Sequence, residues 1–198
     1  AQAVNVAGSV AYGKTAGVGA TLAYNGLDNH IGAYLAGGSV MAKTPSTGVS
    51  VDVEGKNTGK IYGLGAVVAA SQTAAVNGTV VVNHGGSDTE AAVGEVGSED
   101  GNNTVKETTI ANAKAVKVKA ESDDVRVAAA GNVSASGKVA LGGAVAYNDV
   151  GGASASTEKA SQKTRAALNK TTLTHVTSGR TSVQAVDGST LTTAAVGG

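Results

Sequence analysis

The three histidines are the side chains in this sequence best suited to acid–base chemistry or metal binding. His30, His84 and His175 lie far apart, and none has a carboxylate or a second histidine at ligand spacing. His30 and His84 follow soon after an asparagine that ends an apolar block, where we expect a turn. We interpret these histidines as surface turn residues, and the sequence predicts no catalytic residue, no metal ligand and no cofactor-binding residue.

Two groups of carboxylates are the next candidates for chemistry. Glu95, Glu99 and Asp100 lie in a glycine-rich insertion at 94–103, and a second group, Glu121, Asp123 and Asp124, lies in a predicted turn. Neither group has the alternating aspartates of a calcium loop. We interpret both as solvated loop charge.

A polysaccharide-active enzyme, a lyase or hydrolase, remains the alternative to a non-enzymatic chain. Carboxylates distant in sequence can meet on one sheet face, as glycoside hydrolysis requires. The outward positions that the pattern identifies are, however, mostly Ser, Thr, Lys and Ala, and catalytic motifs such as Gly-x-Ser-x-Gly and His-Glu-x-x-His are absent. We therefore expect no enzyme activity.

The segment 156–169 predicts a short inserted helix. Good helix formers follow a serine or threonine N-cap, and Glu158 lies in the first turn. The segment and its flank carry an excess of positive charge, from Lys159, Lys163, Arg165 and Lys170. We interpret these charges as a solvated face, and expect the helix and the acidic insertion to be the partner-facing features of a regular stalk.

An apolar block that ends in asparagine recurs three times and organises the chain. It occupies residues 18–25, 76–83 and 141–148, so its asparagines, Asn25, Asn83 and Asn148, are 58 and 65 residues apart. Such spacing indicates construction by repetition, with repeats at about 4–59, 60–124 and 125–190 in a single unit over 1–198. Because asparagine tolerates a left-handed backbone, we expect each one to end a strand at a corner. Both ends of the sequence resemble repeat, which indicates a fragment of a longer chain.

Composition limits the classes of protein that remain. Fifteen basic and fifteen acidic residues give zero net charge, and the charged fraction of 15% is below the usual ~25%. This gives no electrostatic footprint for nucleic acid. No run of about 18 apolar residues is present, so we expect no direct membrane insertion. With 29 glycines and neither Phe nor Trp, any core must be thin.

Short period-two strands, glycine turns and a thin core predict an all-β fold, a right-handed parallel β-helix. A coil of such a solenoid takes about 20 to 30 residues, so each repeat would hold two or three coils. The alternative is an antiparallel β-sandwich, since turns every 8–12 residues fit it too.

The repeat resembles the leukotoxin-like filamentous adhesins, large haemagglutinin-like repeat proteins of Gram-negative bacteria. The match comprises residues 142–148 and 19–25, the strand Ala33-Tyr34-Leu35, and the strand at 49–53. The second repeat departs from it, with Glu90-Ala91-Ala92-Val93 in place of an Ala-Tyr-Ile strand, so its register is open.

That resemblance implies a secreted or surface-displayed extracellular protein with a β-helical shaft, acting in host-cell attachment or cytotoxicity. The partners it implies are a host-cell surface protein or glycan and neighbouring repeats of the parent chain. The family offers no catalytic motif to carry over. A trimeric coiled-sheet adhesin is a further possibility.

Overall fold

The computed structural model describes residues 1–43, 49–97, 102–150, 162–176 and 180–198. The regular structure in this described part consists of strands β1 to β18, with no helix. The predicted all-β class is confirmed.

Two long sheets, A and B, are built from the first two strands of each repeat. Sheet A has the order β1 (Gln2–Gly13), β6 (Lys60–Ser71), β13 (Val125–Ser136), β18 (Thr190–Gly197). Sheet B has the order β2 (Ala16–Gly26), β7 (Ala74–Gly85), β14 (Val139–Val150). Every pairing in both sheets is parallel.

Three shorter parallel sheets follow in chain order. Sheet C contains β3 (Asn29–Leu35), β8 (Ser87–Val93) and β15 (Gln162–Leu168). Sheet D contains β4 (Gly38–Met41), β11 (Thr108–Ala111) and β16 (Thr171–Thr174). Sheet E contains β5 (Val51–Asn57), β12 (Ala115–Ser122) and β17 (Arg180–Asp187). A small antiparallel hairpin joins β9 (Glu95–Val96) to β10 (Thr104–Val105).

The strands pair in a register that repeats along the chain. Asn25 pairs with Asn83 and Asn83 with Asn148, which are offsets of 58 and 65 residues. The chain therefore adds one strand to each of the five sheets before it returns to sheet A with β6. The expectation of two or three coils of 20 to 30 residues in each repeat is wrong, because each repeat contributes only one strand to each of the five sheets. Parallel pairing in all five sheets also contradicts the antiparallel sandwich.

The second repeat has a defined register despite its different sequence. Ala33 pairs with Ala91 and Leu35 with Val93, so β8 takes the place of the Ala-Tyr-Leu strand. The apolar core of this half contains Val53, Ile110 and Val118 from sheets E and D, packed with Val93 of sheet C. These residues are the Val and Ile of a conventional β core.

The space between sheets A and B, here called the A/B interior, is much narrower. Its small apolar cluster consists of Ala23, Val81, Ala128 and Ala130. A Cβ added to Gly65 would lie 2.7 Å from the Val81 side chain and 2.8 Å from Thr79, closer than real contacts. The two sheets therefore approach so closely that the facing strand must present glycine at this point.

Asn25, Asn83 and Asn148 lie within strands and point into the A/B interior. The Asn25 Nδ2 donates to Asn83 Oδ1 at 2.8 Å, and the Asn83 Nδ2 donates to Asn148 Oδ1 at 2.9 Å. The non-glycine residues with positive φ in the described part are instead Asn112, Lys170 and His175. The prediction of left-handed corner asparagines is wrong. The three asparagines lie in extended strands, and their inward amides are held by hydrogen bonds to neighbouring strands.

The prediction of a helix at 156–169 is also wrong for the described residues of that segment, 162–169. Residues 156–161 lie outside the described part, but Gln162–Leu168 form β15, which pairs in register with β8. Ala166 and Leu168 pack on the core beside Ala91 and Val93. Pairing of this segment with the edge of β8 overrides its weak intrinsic preference for helix.

Gly65→Ala should destabilise the chain by about 1–3 kcal/mol, because the new methyl group overlaps Val81 and Thr79. Gly143→Ala is the matched control, since an added Cβ there meets nothing within 4 Å. Urea denaturation followed by circular dichroism measures both. Equal stability of the two variants would contradict a narrow A/B interior.

Candidate functional site

The outer face of sheet C brings together charged residues that are far apart in sequence. Strand register aligns His30 with Asp88, and Glu90 with Arg165. The β9–β10 hairpin lies over this face, because a Cβ at Gly97 would overlap the Tyr34 hydroxyl. We call the hydrogen-bonded group at the base of the hairpin the anchor cluster; it consists of Tyr34, Glu90, Glu95, Asn103, Lys163, Arg165 and Asn169.

Glu90 is one of two carboxylates at the centre of the anchor cluster, only 2% exposed. The Tyr34 hydroxyl donates to Glu90 Oε2 at 2.8 Å, and the Lys163 ammonium donates to Oε1. Burial alone would raise the pKa of Glu90, but the hydrogen bonds from Lys163 and Tyr34 outweigh it and lower that pKa. Burial and the bond to Glu90 raise the pKa of Tyr34 in turn. Tyr34 therefore stays protonated at neutral pH and acts as a hydrogen-bond donor to Glu90.

Glu95 is the second central carboxylate and is also 2% exposed. The Arg165 guanidinium donates to Oε1, and the Asn169 amide donates to Oε2 at 3.1 Å. The hydrogen bond from Arg165, opposed by burial, lowers the pKa of Glu95. The Asn103 amide bridges Glu95 and Glu90 at 3.3 and 3.5 Å. Both carboxylates thus stay ionised and matched by donors, and they fix the hairpin to sheet C.

The interpretation of the acidic groups as solvated loop charge is wrong for two residues. Glu95 is buried in the anchor cluster, while Glu99 and Asp100 lie outside the described residues. Asp124 is buried too, and its Oδ1 accepts from Asn57 Nδ2 at 2.8 Å and from the Gly59 amide at 2.9 Å. No short sequence motif signals either burial, because the partners come from other repeats.

A buried arginine completes the junction between the A/B interior and sheet C. Arg126 Nη2 lies 3.9 Å from Asp124 Oδ2, and Nη1 donates to the carbonyls of Gly85 and Asp149. Burial lowers the pKa of Arg126, and the charge of Asp124 opposes that shift. Nη2 also donates to Gln162 Oε1 of sheet C at 3.4 Å. The group thus joins sheets A, B and C and has its charges paired internally, as a buried structural ion pair requires.

The outer face of sheet E carries a ladder of partly exposed ion pairs. Glu121 accepts from Lys119 and from Lys56, and these bonds lower its pKa to about 2. Asp123 lies 3.9 Å from Lys56, and Lys117 lies 3.8 Å from Glu54. Such exposed pairs contribute little stability each, and here they keep one face of the molecule charged.

The histidines lie in strands as well as in turns. His84 is in β7, only 18% of its side chain is exposed, and its Nδ1 lies 2.9 Å from Asp149 Oδ2. His30 is in β3, 4.0 Å from Asp88 Oδ2. The surface-turn interpretation is wrong for these two, whereas His175 has the positive φ of a turn.

The outer faces of sheets A and B are apolar, which the sequence pattern did not predict. On sheet B the repeated block presents bulky residues in rows across the strands: Val18, Val76, Leu141; Leu22, Val80, Val145; Tyr24, Val82, Tyr147. On sheet A, Val10, Tyr12 and Leu64 are also exposed. The expectation of outward Ser, Thr, Lys and Ala is wrong for these sheets, because their small and polar residues occupy the A/B interior.

The described residues contain neither a metal-ligand group nor a membrane-spanning helix. No group of three or more His, Cys, Asp or Glu side chains is arranged to hold a metal ion there. No helix in that part is long and apolar enough to span a membrane.

Arg165→Met should lower the free energy of unfolding by about 1–3 kcal/mol at pH 7, because it leaves buried Glu95 without its cation. The lowered pKa of Glu95 stabilises the fold above its ordinary pKa of 4.5, and this is lost as pH falls through the lowered value. The difference between wild type and variant should therefore shrink at pH 3.

Lys117→Met, which removes an exposed cation from sheet E, is the control and should change stability by less than about 1 kcal/mol. Urea titrations at both pH values provide the measurement. A variant as stable as the control at pH 7, or an unchanged difference at pH 3, would contradict the anchoring role of Arg165.

Comparison of the chain with known proteins gives no match: no family model, no curated protein and no solved structure is similar to it.

Proposed function

We propose that this chain is a right-handed parallel β-helical segment of a large secreted or surface-displayed bacterial filamentous adhesin. In this proposal it is a structural shaft that displays loops for host-cell attachment and has no enzyme activity. The single observation that carries the proposal is the register: strands of successive repeats stack in parallel in five sheets, each pair in one unbroken register.

The β-helix follows from continuing that register along one axis. Each repeat passes once through sheets A to E and returns one strand further along the stack. Parallel strands joined by crossover connections are right-handed in nearly all proteins, which supports the proposed hand. Pairing occurs between repeats of one chain, so this register needs no trimer.

A shaft must be stiff, and the A/B interior supplies cross-links between its two long sheets. Asn25, Asn83 and Asn148 of sheet B donate to the carbonyls of Tyr62, Val127 and Thr192 of sheet A. Each repeat therefore adds one more bridge of the same kind. Such a ladder opposes sliding of one sheet over the other in a filament of any length.

The β9–β10 hairpin is the described feature best placed for display. The anchor cluster fixes its base to the outer face of sheet C, while Val96 and Val105 remain exposed. Two half-exposed apolar side chains on a fixed hairpin can contact a partner at low entropic cost. The oxygens of Glu90 and Glu95 already accept hydrogen bonds, which supports an anchoring role over cleavage of a glycan. The resemblance to filamentous adhesins supports a host-cell protein or glycan as the partner, and an extracellular location.

Fluorescently labelled chain should attach to cultured epithelial cells in a saturable manner. Val96→Ser/Val105→Ser should reduce attachment about tenfold, since central apolar contacts dominate binding energy. Val49→Ser/Val139→Ser replaces two valines elsewhere that are more exposed than the hairpin pair, and should leave attachment unchanged.

The outcomes separate the two parts of the proposal. If the wild-type chain does not attach to cells or to immobilised matrix proteins, the adhesive function is wrong. If both double variants attach as well as wild type, the chain is adhesive but the hairpin is not its contact.

A further inference from the structure

The outer face of sheet A is an extended uncharged surface. We call the sheet A face the outward residues of β1 from Val4 to Tyr12, with their register partners on β6, β13 and β18. It contains no Asp, Glu, Lys, Arg or His. Val10 is 82% and Tyr12 74% exposed. Large exposed apolar patches of this kind mark interaction sites.

The shape of this face alternates between ridge and groove. Gly8, Ala66 and Gly131 form a row of small residues across the strands. Two residues further along each strand, Val10, Val68 and Val133 form the next row on the same face. A shallow depression of about 300 Å³ lies at the small row, and Val6, Leu64, Ala129 and Val196 also line it. The ridge and the groove run side by side along the stacking axis.

We propose that the sheet A face is a dimer interface occupied by the same face of a second copy of this chain. Side chains of the ridge repeat at the strand spacing of about 4.8 Å. A groove with the same spacing is found on another parallel in-register stack, and hence on a second copy.

A two-fold axis along the stacking direction makes the fit reciprocal. If it passes between the rows of Ala66 and Val68, the Val68 ridge of each copy lies in the Ala66 groove of the other. Isologous contacts of this kind, in which residue i contacts j and j contacts i, define a closed dimer. The two chains then run in the same direction along their stacking axes.

The area is that of a weak, reversible pair. With the axis between the Ala66 and Val68 rows, four of the five outward rows face each other, and β18 contributes to only two of them, so at about 4.8 Å by 6.7 Å per residue they cover roughly 450 Å² on each copy. Two copies bury roughly 900 Å², the size of a weak or transient interface. Since no charged side chain enters this interface, no desolvation of ions opposes it.

Sedimentation velocity of the purified chain tests the dimer directly. Wild type should shift from monomer to dimer as its concentration is raised to roughly 100 micromolar, and Val68→Lys should raise the dimer Kd by about tenfold or more, because two ammonium groups would meet apolar grooves. Val80→Lys on the outer face of sheet B is the matched control, with 39% exposure against 42% for Val68. Circular dichroism verifies that both variants fold.

Cross-linking tests the proposed register, since the natural chain has no cysteine. Oxidation of Ala66→Cys/Val68→Cys should give a covalent dimer, whereas the equivalent sheet B pair, Gly78→Cys/Val80→Cys, should stay monomeric.

Several results would overturn the proposal. These are a wild-type monomer, loss of the dimer in Val80→Lys but not in Val68→Lys, and cross-linking through sheet B alone. A monomeric wild type that floats with phosphatidylcholine vesicles would identify a lipid surface as the occupant instead.

Discussion

The side-chain amides of Asn25, Asn83 and Asn148 form the interaction on which the two long sheets depend. Each amide nitrogen has two hydrogens; in Asn83 one goes to Asn148 Oδ1 and the other crosses to the Val127 carbonyl of sheet A. Asn25 and Asn83 are buried, so an unpaired amide at either position would cost about as much as a lost hydrogen bond. The ladder therefore holds both the register along the stack and the distance between the sheets.

That short distance explains the inverted distribution of side chains in sheets A and B. The interior holds mostly glycine, alanine, threonine and asparagine with a few larger residues such as Val81, and most valines, leucines and tyrosines take the other parity of each strand and face outward. The opposite holds in the half formed by sheets C, D and E, where a wider interior takes Val93, Ile110 and Val118. One chain thus has a polar, cross-linked seam beside a conventional apolar core, with apolar outer faces on the first half and a charged outer face on sheet E.

The sequence was sufficient to predict strands, repetition and a thin core, because period-two patterning and the spacing of the asparagines are local or periodic signals. It did not show which parity faces inward, since hydrophobicity alone places Leu22 inside and Asn25 at a corner, and a one-residue shift exchanges the two faces. The strand at Gln162–Leu168 has a helical composition, and its partner β8 precedes it by more than sixty residues. Likewise, the burial of Glu95 could not be predicted from its own segment, because its donors, Arg165 and Asn169, belong to the next repeat.

The free energy of unfolding of Asn83→Ala tests the ladder most directly. The substitution removes both donated hydrogen bonds and leaves the Val127 carbonyl and the Asn148 amide oxygen each without one donor. Relative to Asn102→Ala, at an exposed loop position, it should lower the stability measured by urea denaturation by about 1–3 kcal/mol. A loss within about 0.5 kcal/mol of the Asn102→Ala value would contradict the central role of the asparagine ladder.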